Sequence, residues 1–364
     1  MTLPALTVEA LPAGYGDSVL VTCSLAKGMW RMLVDTGPDE CWPSLKAHLA
    51  QIPADGDGKR HIDLAVISHI DHDHIGGAHA LFDDQSLGLS FGDIWFNAPP
   101  RPATRGVEEG QSLASLLGAT RVGLPWNKTW GGRPAVVSAE EPFVQLPFQN
   151  GQPRITLLSP TPTTLAKLFE VWDKELKKLG KKPVGKAPRP VARGVGAMNL
   201  EALAAKLTPT DHAPANGSSI ALLVEHDGRS VLLAADAYAP LLVAALTALA
   251  KHRAVSLPWQ FDVFKLSHHG SRANITVDLF HAVQAQHYIV STNGAIFGHP
   301  DDEAIARAIV GGGTRRKIWF NYRNDHTSKW GEPELRTRYG YTASFPESAQ
   351  GVVSIALDKR SEGD

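Results

Sequence analysis

The chain has 364 residues, 43% of them hydrophobic, and its 36 Lys+Arg against 37 Asp+Glu leave a formal charge of −1. That length and apolar content suffice for a sizeable core, and the balanced charge excludes an overall field that would draw the protein onto nucleic acid or an acidic membrane. Cys23 and Cys41 are too few for a disulfide scaffold and have no zinc-finger spacing, so both are expected as reduced, buried thiols.

The N-terminal "MTLPALTVEALPAGYG" has no basic segment followed by an apolar one, so no signal peptide is expected and a cytoplasmic location is. "LTVEAL", "SVLVTC" and "RMLVDTG" then read as strands punctuated by Gly14, Gly16, Gly28 and Gly37. "WPSLKAHLAQI" has helical spacing, "IDLAVIS" is the apolar β-branched run of a strand covered on both faces, and "GGAHALFDD" restarts a helix. Between that strand and that helix lies "SHIDHDHIGG", so its histidines and aspartates fall on a loop at a strand end, where α/β proteins place their chemistry.

From about 97 to 148 the chain is rich in Gly, Pro and Trp, with one helix-like piece, "GQSLASLLGA", and "RITLLSP" reads as the next strand. A second interruption, about 161 to 215, holds the helix "TTLAKLFEVWDKELKKLG" and a basic stretch with eight Lys or Arg against one acid over 174–193. That stretch reads either as a solvated helix face and loop or as a flap that tracks phosphates. "SIALLVEHDGRSVLLAAD" is hairpin-like about Asp227-Gly228. "PLLVAALTALAKH" is a helix opened by Pro240, which with Asp236 argues against a membrane span over Val231 to Ala250. "FDVFKLS", "HYIVST" and "KIWFN" follow as strands, separated by the helices "DLFHAVQA" and "DEAIARAIVGG". The whole reads as one α/β domain over 1–364, two sheets packed face to face under flanking helices.

Five potential ligands stand in the six positions His69 to His74. Without a cation such a loop would hold like charges in contact and imidazoles poorly satisfied; imidazole with carboxylate is the ligand set of catalytic zinc or manganese. Asp35, Asp236 and the pair His268-His269 also fall at strand ends, able to converge on the same place.

His69, Asp71, Asp73 and His74 match the H-x-[HD]-x-D-H signature of the metallo-β-lactamase fold superfamily, and the chain resembles that superfamily. The S-H-x-D-x-D-H-x-G-G form is similar to the hydrolase domain of the ComEC-type competence proteins and their stand-alone relatives. "GYGDSVLVTC", "RMLVDTGP", "NGSSIALLVEHDGRSVLLAAD", "FDVFKLSHHGS" and "STNGAIFGHPDDEAI" resemble further segments of it in order. The resemblance implies a four-layer αββα sandwich and two divalent metal ions, Zn²⁺ or Mn²⁺, that bridge and polarise a hydroxide.

Carried over residue by residue, the resemblance gives His69 and Asp71 to the first metal and Asp73 and His74 to the second, with Asp236 between them. His269, or its competitor His268, completes the second site, and Asp35 fixes the loop by hydrogen bonding. The superfamily's third motif usually adds a histidine to the first metal, but "ANGSSI" has none, and His212 is a weak substitute on a loop. Such an oxygen-rich first site favours Mn²⁺ relative to Zn²⁺. His72 is expected to point away from the metals.

Asp73 is the expected catalytic base, with Ser271, Arg272 and Asn293 contacting substrate. His299 serves as a phosphate binder, a leaving-group acid or a structural residue. The function implied is hydrolysis of a phosphodiester, with nucleic acid as the expected partner. Alternatives are hydrolysis of a small phosphodiester, lactone or other ester, and a non-catalytic metal-binding module.

Overall fold

The computed structural model describes residues 3–99, 109–118, 123–147, 151–179, 198–347 and 351–360. Its strands are β1 (Leu6–Ala10), β2 (Val19–Ser24), β3 (Met29–Val34), β4 (Arg60–Ile67), β5 (Leu89–Phe96), β6 (Val144–Gln145) and β7 (Arg154–Ser159). There follow β8 (Ala221–His226), β9 (Arg229–Leu233), β10 (Trp259–Lys265), β11 (Val283–Val290), β12 (Lys317–Phe320), β13 (Thr342–Ser344) and β14 (Val353–Leu357). The helices are α1 (Trp42–Leu49), α2 (His72–Ile75), α3 (Ala78–Asp83), α4 (Glu109–Leu117), α5 (Pro162–Leu179) and α6 (Leu200–Ala204). After them come α7 (Pro214–Gly217), α8 (Ala239–His252), α9 (Val277–Ala282), α10 (Asp302–Gly311) and α11 (Pro333–Tyr339).

One sheet has the order β14-β1-β2-β3-β4-β5 and the other β13-β12-β11-β10-β9-β8-β7-β6. Alternating strand residues divide their burial between two faces. In β4, Leu64 and Val66 join a core shared with Leu222, Val224 and Val231 of the second sheet, while Ala65 and Ile67 turn outward onto helices. On that outer side α1, α3 and α5 bury Leu45, Leu49, Leu81, Leu165 and Trp172. Beyond the second sheet α8, α9 and α10 bury Leu242, Leu246, Leu279 and Ile305. The layers are therefore helix, sheet, sheet, helix: a four-layer αββα sandwich.

Two sequence expectations change. "DLFHAVQA" is not one helix, because from Val283 the chain extends into β11, parallel to β10 with Trp259 opposite Val283. The histidine-rich stretch is not wholly a loop, because His72, Asp73 and His74 open the short helix α2. As expected, Val231 to Ala250 divides between strand β9 and helix α8, and among the described residues no helix is long and apolar enough to cross a membrane. Most of the basic stretch, residues 180 to 197, lies outside the described residues.

What positions the site is strand direction. β3 and β4 run parallel in one sheet, and β9, β10 and β11 run parallel in the other. The turns after these strands carry Asp35, His69 to His74, Asp236, His268-His269 and Ser291 to one edge of the sandwich.

Candidate metal centre

Four imidazoles converge at this edge, each held by its Nδ1 with Nε2 turned inward. His74 Nδ1 lies 2.8 Å from Asp35 Oδ2. His69 Nδ1 lies 3.0 Å from Ser68 Oγ, which itself donates to Asp35 Oδ2 at 2.7 Å and so accepts from the imidazole. His269 Nδ1 donates to the Ser291 carbonyl at 2.9 Å, and Asp17 Oδ1 stands 3.2 Å away. His268 Nδ1 faces Asn274 Oδ1 at 2.9 Å. An acceptor on Nδ1 fixes the proton there and leaves the Nε2 lone pair free for a cation.

The carboxylates meet those nitrogens. Asp236 Oδ1 is 3.3 Å from His74 Nε2, and its Oδ2 is 3.6 Å from His268 Nε2 and 3.9 Å from His69 Nε2. Asp73 Oδ2 lies 3.1 Å from His269 Nε2, and Asp71 Oδ2 lies 3.6 Å from His69 Nε2. Asp236 thus stands between two groups of donors.

Buried atoms without hydrogen-bond partners include His69 Nε2, His74 Nε2, Asp236 Oδ1 and Asp17 Oδ1. Buried polar groups left unpaired cost free energy, and the first three of these form a set that a pair of cations would satisfy. The donor set fits the implied metal. Asp17, His74, Asp236 and His269 also offer ligand atoms within 4.8 Å of one another. Asp17, however, is engaged on the Nδ1 side of His269 and paired with the buried Lys265, which makes it a positioning group rather than a ligand.

Charge follows from this crowding. Burial pushes the Asp236 carboxyl up, but the imidazoles of His268, His74 and His269 outweigh it and hold the group well below the usual carboxylate range. Burial lowers His268, and Asp236 and Asp211 reverse it, raising the group to about 9. His74 and His269 are raised by the same opposition between burial and neighbouring carboxylates. In the metal-free protein protons take the place that a cation would hold.

The turns bearing these residues adopt left-handed backbone: Asp35 at φ 61°, Ala235 at φ 44°, His268 at φ 49° and His269 at φ 54°. Each such residue costs about 1–3 kcal/mol and persists where the surroundings impose it. The Asp17–Lys265 pair, the Asp211 carboxylate behind His268 and the Ser291 carbonyl were not singled out from sequence. Asp17 and Lys265 stood inside "GYGDS" and "FKLS", whose spacing shows no partner because 248 positions separate them.

Around the metal donors a cavity of about 420 Å³ is lined by Asp71, Asp73, His268, Arg272, Phe297 and His299, with Ser271 in its wall. Burial pushes His299 below the ordinary histidine value, and its Nδ1 has no hydrogen-bond partner. Asn293 is not among the lining residues; its side-chain oxygen accepts from the Ala295 amide. His212 is exposed beside Thr210, 2.9 Å away, and stands outside the donor cluster. His72 turns toward Asp39 and Glu40, at 3.1 and 3.7 Å.

No curated protein matches the chain in sequence. Among solved structures, the metallo-beta-lactamase fold protein YhfI from Bacillus subtilis is 11% identical with a TM-score of 0.40, over 96% of this chain and all of that one. CmlA, a diiron beta-hydroxylase from Streptomyces venezuelae, is 13% identical with a TM-score of 0.40, over 98% of this chain and 55% of that one. Likeness at this level carries no argument about activity. The metallo-beta-lactamase superfamily model matches residues 12–88, which contain Asp17, Asp35 and His69 to His74. The match to the metallo-beta-lactamase superfamily model thus covers the first strands and the histidine-rich stretch, and the described chain around them forms a four-layer αββα sandwich.

Proposed function

We propose that the protein is a metal-dependent hydrolase of phosphodiesters, with nucleic acid as the favoured substrate class. The observation that carries the reading is the set of inward-facing, unpartnered donors on both sides of Asp236, opening into a cavity that also holds Arg272. Two cations there would lower the pKa of a water and stabilise the negative charge on the oxygens of the attacked phosphate.

The chain's own residues supply the rest. Asp73, buried and lining the cavity, offers a carboxylate oxygen to orient or deprotonate that water. The Arg272 side chain, about 40% exposed, is near enough to the opening to meet a non-bridging phosphate oxygen, at the expense of its 3.6 Å pairing with Glu303. Burial lowers His299 below the ordinary histidine value, which disfavours both binding phosphate as a cation and protonating a leaving group, and leaves its ring as a hydrogen-bonding group in the cavity wall. The similarity of "SHIDHDHIGG" to the ComEC-type hydrolase domain supports nucleic acid as substrate.

The test is to incubate the protein with Mn²⁺ or Zn²⁺ and compare single-stranded DNA, duplex DNA, RNA and bis-p-nitrophenyl phosphate, alongside Asp73→Ala. Cleavage of a nucleic acid that falls by about 10²-fold or more in the variant is expected. Turnover of the small ester alone would overturn the nuclease reading, and turnover of none of them would overturn the phosphodiesterase one.

A further inference from the structure

We propose that His268 is a ligand of the first metal, taking the place of the third-motif histidine that this chain lacks, and that Asp211 and Asn274 position it. The proposal rests on the two-cation reading above. It replaces competition between His268 and His269 for one site with a division of labour between two.

The two imidazoles face different carboxylate oxygens. His268 Nε2 is 3.6 Å from Asp236 Oδ2, the oxygen that also faces His69, while His269 Nε2 is 3.1 Å from Asp73 Oδ2. Donors around a cation with bonds of about 2.0–2.1 Å lie roughly 3.3 Å apart when tetrahedral. The separations of 3.6 Å (His69 to Asp71), 3.9 Å (His69 to Asp236) and 3.6 Å (His268 to Asp236) are close to that spacing.

The tautomer is set from behind. Asn274 Nδ2 donates to Asp211 Oδ2 at 2.9 Å and to the Asp236 carbonyl at 3.1 Å, so its Oδ1 is the atom turned to His268 Nδ1. That oxygen at 2.9 Å, with the Asp211 carboxylate beside it, favours a proton on Nδ1 over acceptance there from the more distant Asn216 Nδ2 at 3.2 Å, and leaves Nε2 as the donor to a metal. Asp211 Oδ2 stands 3.4 Å from the same Nδ1, the carboxylate–imidazole arrangement that orients metal-bound histidines. Asn216, in the segment where the superfamily has its histidine, donates to Asp211 at 2.6 Å and has the same Nδ2 3.2 Å from His268 Nδ1, so it packs behind the His268 ring. The His268 amide also donates to the Ala235 carbonyl at 2.9 Å, tying this turn to the one that carries Asp236.

A second imidazole makes the first site less oxygen-rich than His69, Asp71 and Asp236 alone. Its preference shifts from Mn²⁺ back toward Zn²⁺.

The experiment titrates metal-free, full-length protein with Zn²⁺, and separately with Mn²⁺, by calorimetry, with Co²⁺ absorption as a check on ligand field. Wild type is expected to bind two ions. His268→Ala should weaken one site by about 100-fold, more for Zn²⁺ than for Mn²⁺, and Asp211→Asn should weaken the same site about 10–100-fold. His269→Ala should weaken the other, so that His268→Ala/His269→Ala loses both while His268→Ala/His69→Ala retains one. Asp211→Asn keeps the shape of the network and carries the test if His268→Ala does not fold, as judged by circular dichroism. Two ions bound at wild-type affinity by both His268→Ala and Asp211→Asn would overturn the proposal alone. Absence of metal binding in wild type would overturn the two-cation reading and this proposal with it.

Discussion

Asp35 accepts three hydrogen bonds on one carboxylate: from the Ser68 amide and hydroxyl, both at 2.7 Å, and from His74 Nδ1 at 2.8 Å. It does so at φ 61°, where a small polar side chain is tolerated better than alanine. Asp35→Ala should therefore lower stability by about 2–4 kcal/mol and weaken metal binding about 10–100-fold, since His74 and His69 lose the groups that hold them. Urea unfolding with a parallel metal titration checks this; unchanged metal affinity would contradict it. Titration of the imidazoles gives a second expectation. His74, His268 and His269 are raised above the ordinary value, so the stability they confer on the metal-free protein is fully present below about pH 6.5. It is lost as pH rises through the raised values, about 9 for His268. A cation must displace those protons, so metal affinity should increase from pH 6 to pH 9, by up to about tenfold per pH unit for each proton released. Calorimetry in two buffers of different ionisation enthalpy reads the proton count, and zero release at pH 7 would contradict the assignment.

At the scale of elements, the metal loop is clamped by the turn before β2. The Asp17 amide donates to the Asp73 carbonyl at 3.0 Å, and a Cβ added to Gly16 would lie 1.9 Å from that same oxygen. Gly16→Ala should displace the loop and destabilise the protein by about 1–3 kcal/mol or more, with weaker metal binding, whereas Gly56→Ala meets no atom within 4 Å and should leave metal binding unchanged. Lys265, at the end of β10, reaches across to Asp17, both about 2% exposed. Lys265→Met removes one partner and leaves a buried carboxylate, for an expected loss of about 3–5 kcal/mol in urea unfolding; a loss below about 1 kcal/mol would show that the pair is dispensable. These clamps explain what sequence could and could not supply. The stretch His69 to His74 was legible because its ligands are adjacent, and the strands before Asp35, Asp236 and His268 because their apolar runs are long. β5, β13 and β14 were not read: Leu89–Phe96 mixes Gly and Asp into its run, and Thr342–Ser344 has three residues. Val353–Leu357 gains its place only by pairing with β1, with Val353 opposite Ala10. Asp211 was passed over for the neighbouring His212, since a carboxylate on a loop gives no sign of the imidazole that it will meet 57 residues later.

For the whole molecule, neutral overall charge means that any attraction of a polyanion must be local. The basic stretch includes Lys177 and Lys178 at the end of α5, and Lys181 and Lys182 beyond the described residues. If it meets phosphates, neutralising these four should weaken nucleic-acid binding and flatten its salt dependence, with small-ester hydrolysis intact. The log–log slope should fall by about 0.7–0.9 for each phosphate that is no longer neutralised. An unchanged slope would assign the stretch to the solvated surface. The sandwich itself gathers the ends of five strands from two sheets onto one edge, and the claim on which the rest depends is that this edge holds two cations about Asp236. Anomalous diffraction from crystals grown with Zn²⁺ or Mn²⁺ tests it directly. The expected result is two peaks flanking Asp236, one among His69, Asp71 and His268 and the other among Asp73, His74 and His269. No peak there, or a single ion remote from Asp236, would contradict it.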